Sequence, residues 1–280
     1  MKHTMNIEYI LTITISAGLA CHAQQRLVRP PAEDMPKIIE ASRKAIAAAS
    51  PYYYEFTQEH LGLNPKTGMM EKQGSAHEGF AAAGRSGAGF VGLDVVFVNG
   101  KKLTRRWILD VGSASRITIT DVADVKTTLP MGLGDYAMIL GPGQATLDCS
   151  STSTIKVHGI DAIECVRPVR SVTGSGGRYT IKRTSTLVPA MDFAEVAYSE
   201  TADYDDGRAL GRRKKSVLRL VLDKPDSKLF EIPAKATEVV PSILEAEWGR
   251  ALNGDKDCPQ CFVNYLTRID QVYHNAKSSH

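Results

Sequence analysis

Between Tyr52 and Leu222 the chain is a succession of short β-prone runs broken by turn residues. That rhythm restricts the fold to an antiparallel sheet or an open barrel and argues against alternating βα units. The sharpest unit is Gly89 to Val98, then Asn99-Gly100, then Lys101 to Val111, because Asn-Gly supplies the two left-handed positions of a tight hairpin turn. Further strands are expected at Tyr52 to His60, Met69 to His77, Arg116 to Thr120, Val125 to Leu129, Tyr136 to Leu140, Ser153 to Val157, Ala162 to Val166, Tyr179 to Thr186, Phe193 to Ser199 and Ser216 to Leu222. The breaks fall at Asn64 to Gly68, Pro130, Gly141-Pro142-Gly143, His158-Gly159, Gly174 to Gly177 and Asp205-Asp206-Gly207. Strict alternation in the last strand puts Leu218, Leu220 and Leu222 on one face and Val217, Arg219 and Val221 on the other. The basic run Arg212-Arg213-Lys214-Lys215 just before it is expected to be a solvated hairpin turn rather than a phosphate-binding patch.

Helical signals bracket this region. From Pro36 to Ala49, apolar Ile38, Ile39, Ala45, Ile46 and Ala49 recur near helical spacing, and Ser50-Pro51 stops the run. Ser242-Ile243-Leu244-Glu245 has the form of a capping box, predicting a helix to about Asn253. Phe262, Tyr265, Leu266, Ile269, Val272 and Tyr273 then form an amphipathic stripe that would dock on the β core. With 280 residues and 43% hydrophobic content, the chain can bury a sizeable core. The expected organisation is a signal segment over 1–23, a tether over 24–35, a β-rich domain with an N-terminal helix over 36–240 and a C-terminal helical extension over 241–280. The fold class is mainly β (α+β): a curved antiparallel sheet or incomplete β-barrel with flanking N-terminal and C-terminal helices.

Compartment is read from the first residues and from the cysteines. Lys2, an apolar stretch from Ile10 to Ala20 and the small residues around Cys21-His22-Ala23 have the form of a secretory signal. A lipid anchor on Cys21 is the weaker alternative, since Gly18 stands where such signals usually carry Leu. Removing Cys21 leaves Cys149, Cys165, Cys258 and Cys261, an even set that suits an oxidising periplasmic or secreted location. Three pairings are open. Cys149 and Cys165 flank strand-like sequence and suit a cross-strand or strand-to-loop bridge. Cys258-Pro-Gln-Cys261 suits a structural staple better than redox catalysis, because too little chain follows it to build a thioredoxin-like domain. No apolar run is long enough to span a bilayer as a helix. The net charge of +3, from 34 basic and 31 acidic residues, offers no electrostatic footprint for nucleic acid. No metal site is expected, since His60, His77, His158 and His274 lack ligand spacing. No cofactor is expected either: Gly174-Ser175-Gly176-Gly177 lacks the Lys and Ser/Thr of a phosphate loop.

Trp107-Ile108-Leu109-Asp110-Val111-Gly112-Ser113-Ala114, following the Asn-Gly hairpin, resembles the catalytic stretch of retroviral-type aspartic proteases. That resemblance implies a dimer in which two copies of Asp110 share a proton. Val111 stands where the family carries Thr or Ser, and Asp110 with Gly112 also fits an ordinary strand-end turn.

A wider set of segments resembles secreted bacterial proteins distantly similar to the outer-membrane lipoprotein carrier and receptor proteins. It comprises Ser115 to Ala123 with Val125 to Leu129, Ile155 to Asp161, and Lys224-Pro225-Asp226-Ser227-Lys228-Leu229-Phe230-Glu231-Ile232-Pro233. The resemblance implies an incomplete antiparallel barrel whose inward side chains shelter apolar material. On it rests the expectation of a non-enzymatic protein that binds an apolar ligand, such as a lipid or acyl chain, or an envelope protein partner.

Overall fold

The computed structural model describes residues 48–64, 66–73, 78–86, 89–132, 147–174 and 177–252, with 36, 37, 40, 41, 44, 135, 139 and 274 besides. One open sheet dominates. Its strands are β1 (Tyr52–Leu63), β2 (Met70–Lys72), β3 (Glu78–Ser86), β4 (Gly89–Val98), β5 (Lys101–Asp110), β6 (Ser115–Thr120), β7 (Val125–Pro130), β8 (Ser151–Val157), β9 (Ile160–Val166), β10 (Arg170–Gly174), β11 (Gly177–Val188), β12 (Ala194–Tyr204), β13 (Ala209–Val221) and β14 (Thr237–Glu238). The order is β14-β7-β6-β5-β4-β3-β1-β13-β12-β11-β9-β8, with β2 added to β1 and β10 to β11. All neighbours are antiparallel except β14, which runs parallel to β7. The ends do not meet, so the barrel is incomplete, as expected.

Turn chemistry explains the hairpins. Asn99 and Gly100 take φ of 50° and 76°, and His158 and Gly159 take 51° and 81°, both the left-handed pairs that match strand twist. Asn64 starts the β1–β2 turn by accepting from the Gly68 and Lys66 amides.

Three expectations are corrected. The basic run is no turn: β13 begins at Ala209 and passes straight through Arg212 to Lys215, because paired strands on both sides supply each peptide with partners. Strict alternation in β13 fails at a bulge, where Tyr54 faces Leu220 but Phe56 faces Val217. The extra residue turns Leu218 out, 49% exposed, and places Val217 and Leu220 on one face. Around Tyr136 to Leu140, the described Asp135 and Ile139 are helical rather than extended. In addition, β3 and β10 were not anticipated, and β2 is only three residues long.

The sheet has two unlike faces. Cross-strand partners place Tyr52, Tyr54 and Phe56 of β1, Ala83 and Arg85 of β3, Phe90 of β4, Leu109 of β5 and Leu220 of β13 on one side. These join Val188, Met191, Val196, Ala162 and Ile139 in the largest core cluster. We call this the inner face, since Arg85 on β3 reaches Asp192, beside β12, at 2.7 Å. In a flat sheet those strands would lie about 14 Å apart, so the face curls inward there. The outer face carries Val91, Leu93, Val95, Ile108, Ile117 and Ile119, on which Leu229 and Phe230 pack.

The chain wraps one edge of the sheet. After β13, a strap over 224–233 crosses the outer face, with a 3-10 turn at Ser227–Phe230 in which the Asp226 carboxylate accepts from the Lys228 amide. Then β14 pairs with β7, and Glu238 accepts from the Thr128 amide and hydroxyl at 2.8 and 3.0 Å. Helix α1 (Pro241–Leu252) follows and packs beside β6 and β7, burying Leu244 and Trp248. It starts at Pro241, so Ser242 lies within its first turn, and Glu245 turns toward Arg105. Helical residues between 36 and 48 agree with the expected N-terminal helix. The expected signal, tether, Cys258–Cys261 pair and final stripe lie outside the described residues.

Candidate functional site

The inner face is the candidate site, and its geometry follows from which side chains the pleat sends inward. Column β1 supplies Tyr52, Tyr54 and Phe56, with ring centres 6.1 and 5.4 Å apart along the column. Beside Tyr54 and Phe56, β3 and the middle of β4 offer small residues inward, Ala81, Ala83 and Gly92. The indole of Trp107 packs against Gly92, where a Cβ would sit 2.0 Å from the ring. The result is a broad apolar wall crossing from β5 to β9.

Charged groups are fixed at three places on this wall. At one end Arg85, 1% exposed, donates to the Ser50 carbonyl at 2.9 Å, the Ile139 carbonyl at 3.0 Å and Asp192. It also lies 4.8 Å from the Tyr52 ring centre. The guanidinium therefore ties the helical residue 139 and the chain before β1 to the sheet. Under α1, Arg105 pairs with Asp94 at 3.0 Å and Glu245 at 3.1 Å, 5.1 Å from the Trp248 ring. Burial raises the Asp94 pKa, and Arg105 opposes that rise.

The third group sits where β11, β12, β13 and β1 run side by side. Arg183 donates to Glu200 at 2.9 Å and to Glu195, with its guanidinium 4.0 Å over the Tyr198 ring. The Ser185 hydroxyl donates to Glu195 at 2.6 Å. Lys215 donates to the Tyr54 hydroxyl at 3.1 Å and the Glu195 carbonyl at 2.9 Å, with its ammonium 4.1 Å from the Phe56 ring centre. Burial pushes its pKa down to about 8, with Glu195 opposing. Burial also raises the Tyr52 and Tyr54 pKa values. No sequence motif marked this cluster. The signal available was the basic run itself, whose alternate members Arg213 and Lys215 must share a face once the run is a strand.

Asp110 is placed at the end of β5, where its carboxylate accepts from the Gly112 amide at 2.9 Å and the Ser113 hydroxyl at 2.6 Å. These bonds hold the β5–β6 turn, which is what the strand-end alternative anticipated. Cys149 and Cys165 form a disulfide that ties the loop before β8 to β9. His60 lies in β1 and His158 in the β8–β9 turn. No cluster of His, Cys, Asp and Glu suited to a metal is found among the described residues. Among those residues, no helix is long and apolar enough to cross a membrane.

A separate open cleft of about 620 Å³ lies between the β1–β2 and β12–β13 turns, lined by Leu63, Met70, Tyr204 and Arg208 among others. Its one charged lining residue, Arg208, is held by Asp206 at 2.7 Å. It is a gap between turn tips, away from the apolar wall.

No family model and no curated protein matches the chain. Among solved structures, an uncharacterized conserved protein from Thermus thermophilus is 10% identical, with a TM-score of 0.34, over 74% of this chain and 98% of its own. LprF from Mycobacterium bovis is 15% identical, with a TM-score of 0.31, over 74% of this chain and 99% of its own. The resemblance to either is distant, and neither ligand nor activity follows from it.

Proposed function

We propose that this is an exported protein that holds an apolar ligand, a lipid or acyl chain, against the inner face of its open sheet. The observation that carries this reading is the continuous apolar wall of Tyr52, Tyr54, Phe56, Phe90, Leu109, Val188, Val196 and Leu220. Ile139, a helical residue, packs on it and is tied down by Arg85 through its carbonyl, while Arg105 holds α1 over the neighbouring strands β6 and β7. Covers held by a few polar bonds part more readily than two interdigitated sheets, which lets a chain slide between cover and wall. The ligand would then be held by apolar area removed from water, at about 25 cal/mol per Å². Export is supported by the Cys149–Cys165 disulfide, a bond that persists in oxidising compartments. The protease alternative has no supporting geometry, since Asp110 is engaged in its own turn.

The test is saturable uptake of an uncharged fluorescent apolar probe by the full chain, with mass spectrometry of lipid extracted from the purified protein. One-to-one saturation and displacement by a long-chain alcohol are expected. Absence of saturable uptake, together with no co-purifying lipid, would refute the reading.

A further inference from the structure

The charged group at β11–β13 has more cations than carboxylates, since Arg167, just after β9, also reaches it through the Ser185 hydroxyl at 3.5 Å. Arg183, Arg213 and Lys215 all point to the inner face, against Glu195 and Glu200. Arg183 is used up between the two glutamates. Arg213, 47% exposed, reaches Glu200 alone among the described carboxylates, at 3.8 Å. Lys215 has bonds to two neutral oxygens, those of Tyr54 and the Glu195 main chain, and beyond these its ammonium has the Phe56 and Tyr54 rings beside it but no described carboxylate. The Tyr54 hydroxyl accepts from Lys215 and has no described acceptor for its own hydrogen. Burial holds the neighbouring His60 pKa down, so it adds no charge near neutral pH. Surplus positive charge therefore stands where the Tyr54 and Phe56 rings end the apolar wall.

We propose that this corner receives the carboxylate of a single-chain fatty acid, bound by Lys215, Arg213 and the Tyr54 hydroxyl, with the chain running along the aromatic column of β1. The proposal rests on the apolar-ligand reading and narrows it to one ligand class. A carboxylate offers one oxygen to the Lys215 ammonium and one to the Arg213 guanidinium, whereas an ester gives these cations no counter-charge. Charge-assisted bonds of this kind are about twice as strong as neutral ones, so the head group should dominate discrimination among ligands of equal chain length.

The experiment compares palmitic acid, its methyl ester and hexadecyl phosphate by displacement of the uncharged fluorescent probe from the full chain near neutral pH. Palmitic acid is expected to bind at least tenfold more tightly than the ester and more tightly than the phosphate. Lys215→Met and Arg213→Gln should each weaken the acid more than the ester and so narrow the gap between them. The half-exposed Arg213 keeps the test open if the buried Lys215 variant does not fold. Equal binding of acid and ester by the native chain would overturn the head-group proposal while sparing the apolar reading. Tighter binding of the phosphate would overturn the carboxylate assignment. If none of the three displaces the probe, and the probe itself does not saturate, the apolar reading falls with it.

Discussion

Lys215 makes the sharpest residue-scale prediction. An ammonium taken out of water loses hydration that two neutral acceptors and two rings replace only in part, so its pKa drops from 10.5 to about 8. Below that value the folded and unfolded chains both hold the proton, and the full cost of burying the charge is present. As pH rises from about 8 to about 10, the folded chain has released it while the unfolded chain still holds it, so stability rises with pH. The groups facing Lys215 are Tyr54 and His60 from β1, Arg183 from β11, Glu195, Tyr198 and Glu200 from β12, and Arg213 from β13. Among these, Tyr54 and Tyr198 oppose the trend only above about pH 10, where the unfolded phenols ionise first. Chemical denaturation should show a gain of about 2 kcal/mol between about pH 7 and 9.5, and Lys215→Met should flatten it. An unchanged slope in the variant would reject this account. By contrast, Asp110→Asn keeps an acceptor for the turn amide, and its cost should stay near 1 kcal/mol with probe uptake unaltered. Loss of uptake in that variant would show Asp110 to be more than a turn residue.

At the scale of elements, legibility followed turn chemistry. Hairpins closed by Asn99-Gly100 and His158-Gly159 could be read directly, because few residue pairs accept positive φ at both positions. Strand β3 could not, since Ala81, Ala82, Ala83 and Gly84 have low strand propensity and are extended only because β1 and β4 flank them. The same tertiary override hid the candidate site: a run of four basic residues looks solvated until neighbouring strands make it alternate. The Pro225 to Pro233 motif was visible, but its role was not. It straps the outer face, with Pro225 against Gly84 and Arg106 donating to the Lys228 and Leu229 carbonyls at 2.8 Å. Gly92 yields a test of the wall's construction. A methyl group there would overlap the Trp107 indole, so Gly92→Ala should destabilise the fold by about 2 kcal/mol and change the near-ultraviolet signal of Trp107 in a Trp248→Phe background. Unchanged stability and spectrum would mean that the indole does not rest on β4.

The whole molecule is organised around two consecutive arginines of β5. Because strand side chains alternate, Arg105 points inward and Arg106 outward. Arg105 holds α1 through Glu245, and Arg106 holds the strap through two carbonyls. The two covers are thus fastened independently, although they are consecutive in the chain and joined around the sheet edge by β14. If ligands enter at the inner face, the two fasteners must differ in function even where both matter for stability. Arg105→Met leaves Asp94 without its cation and frees Glu245, and removing one partner of a buried pair costs about 3 to 5 kcal/mol. Amides of 241–252 should then exchange faster with solvent, and the association rate of the uncharged probe should rise as α1 lifts more often. Arg106→Met orphans two carbonyls, should cost about 1 to 3 kcal/mol and should speed exchange over 227–231, but leave the association rate within twofold of the native value. Hydrogen exchange verifies that each variant loosens its own cover, and stopped-flow fluorescence reads the rate. A rate that rises in Arg106→Met and not in Arg105→Met would put the entry on the opposite side of the sheet, beneath the strap.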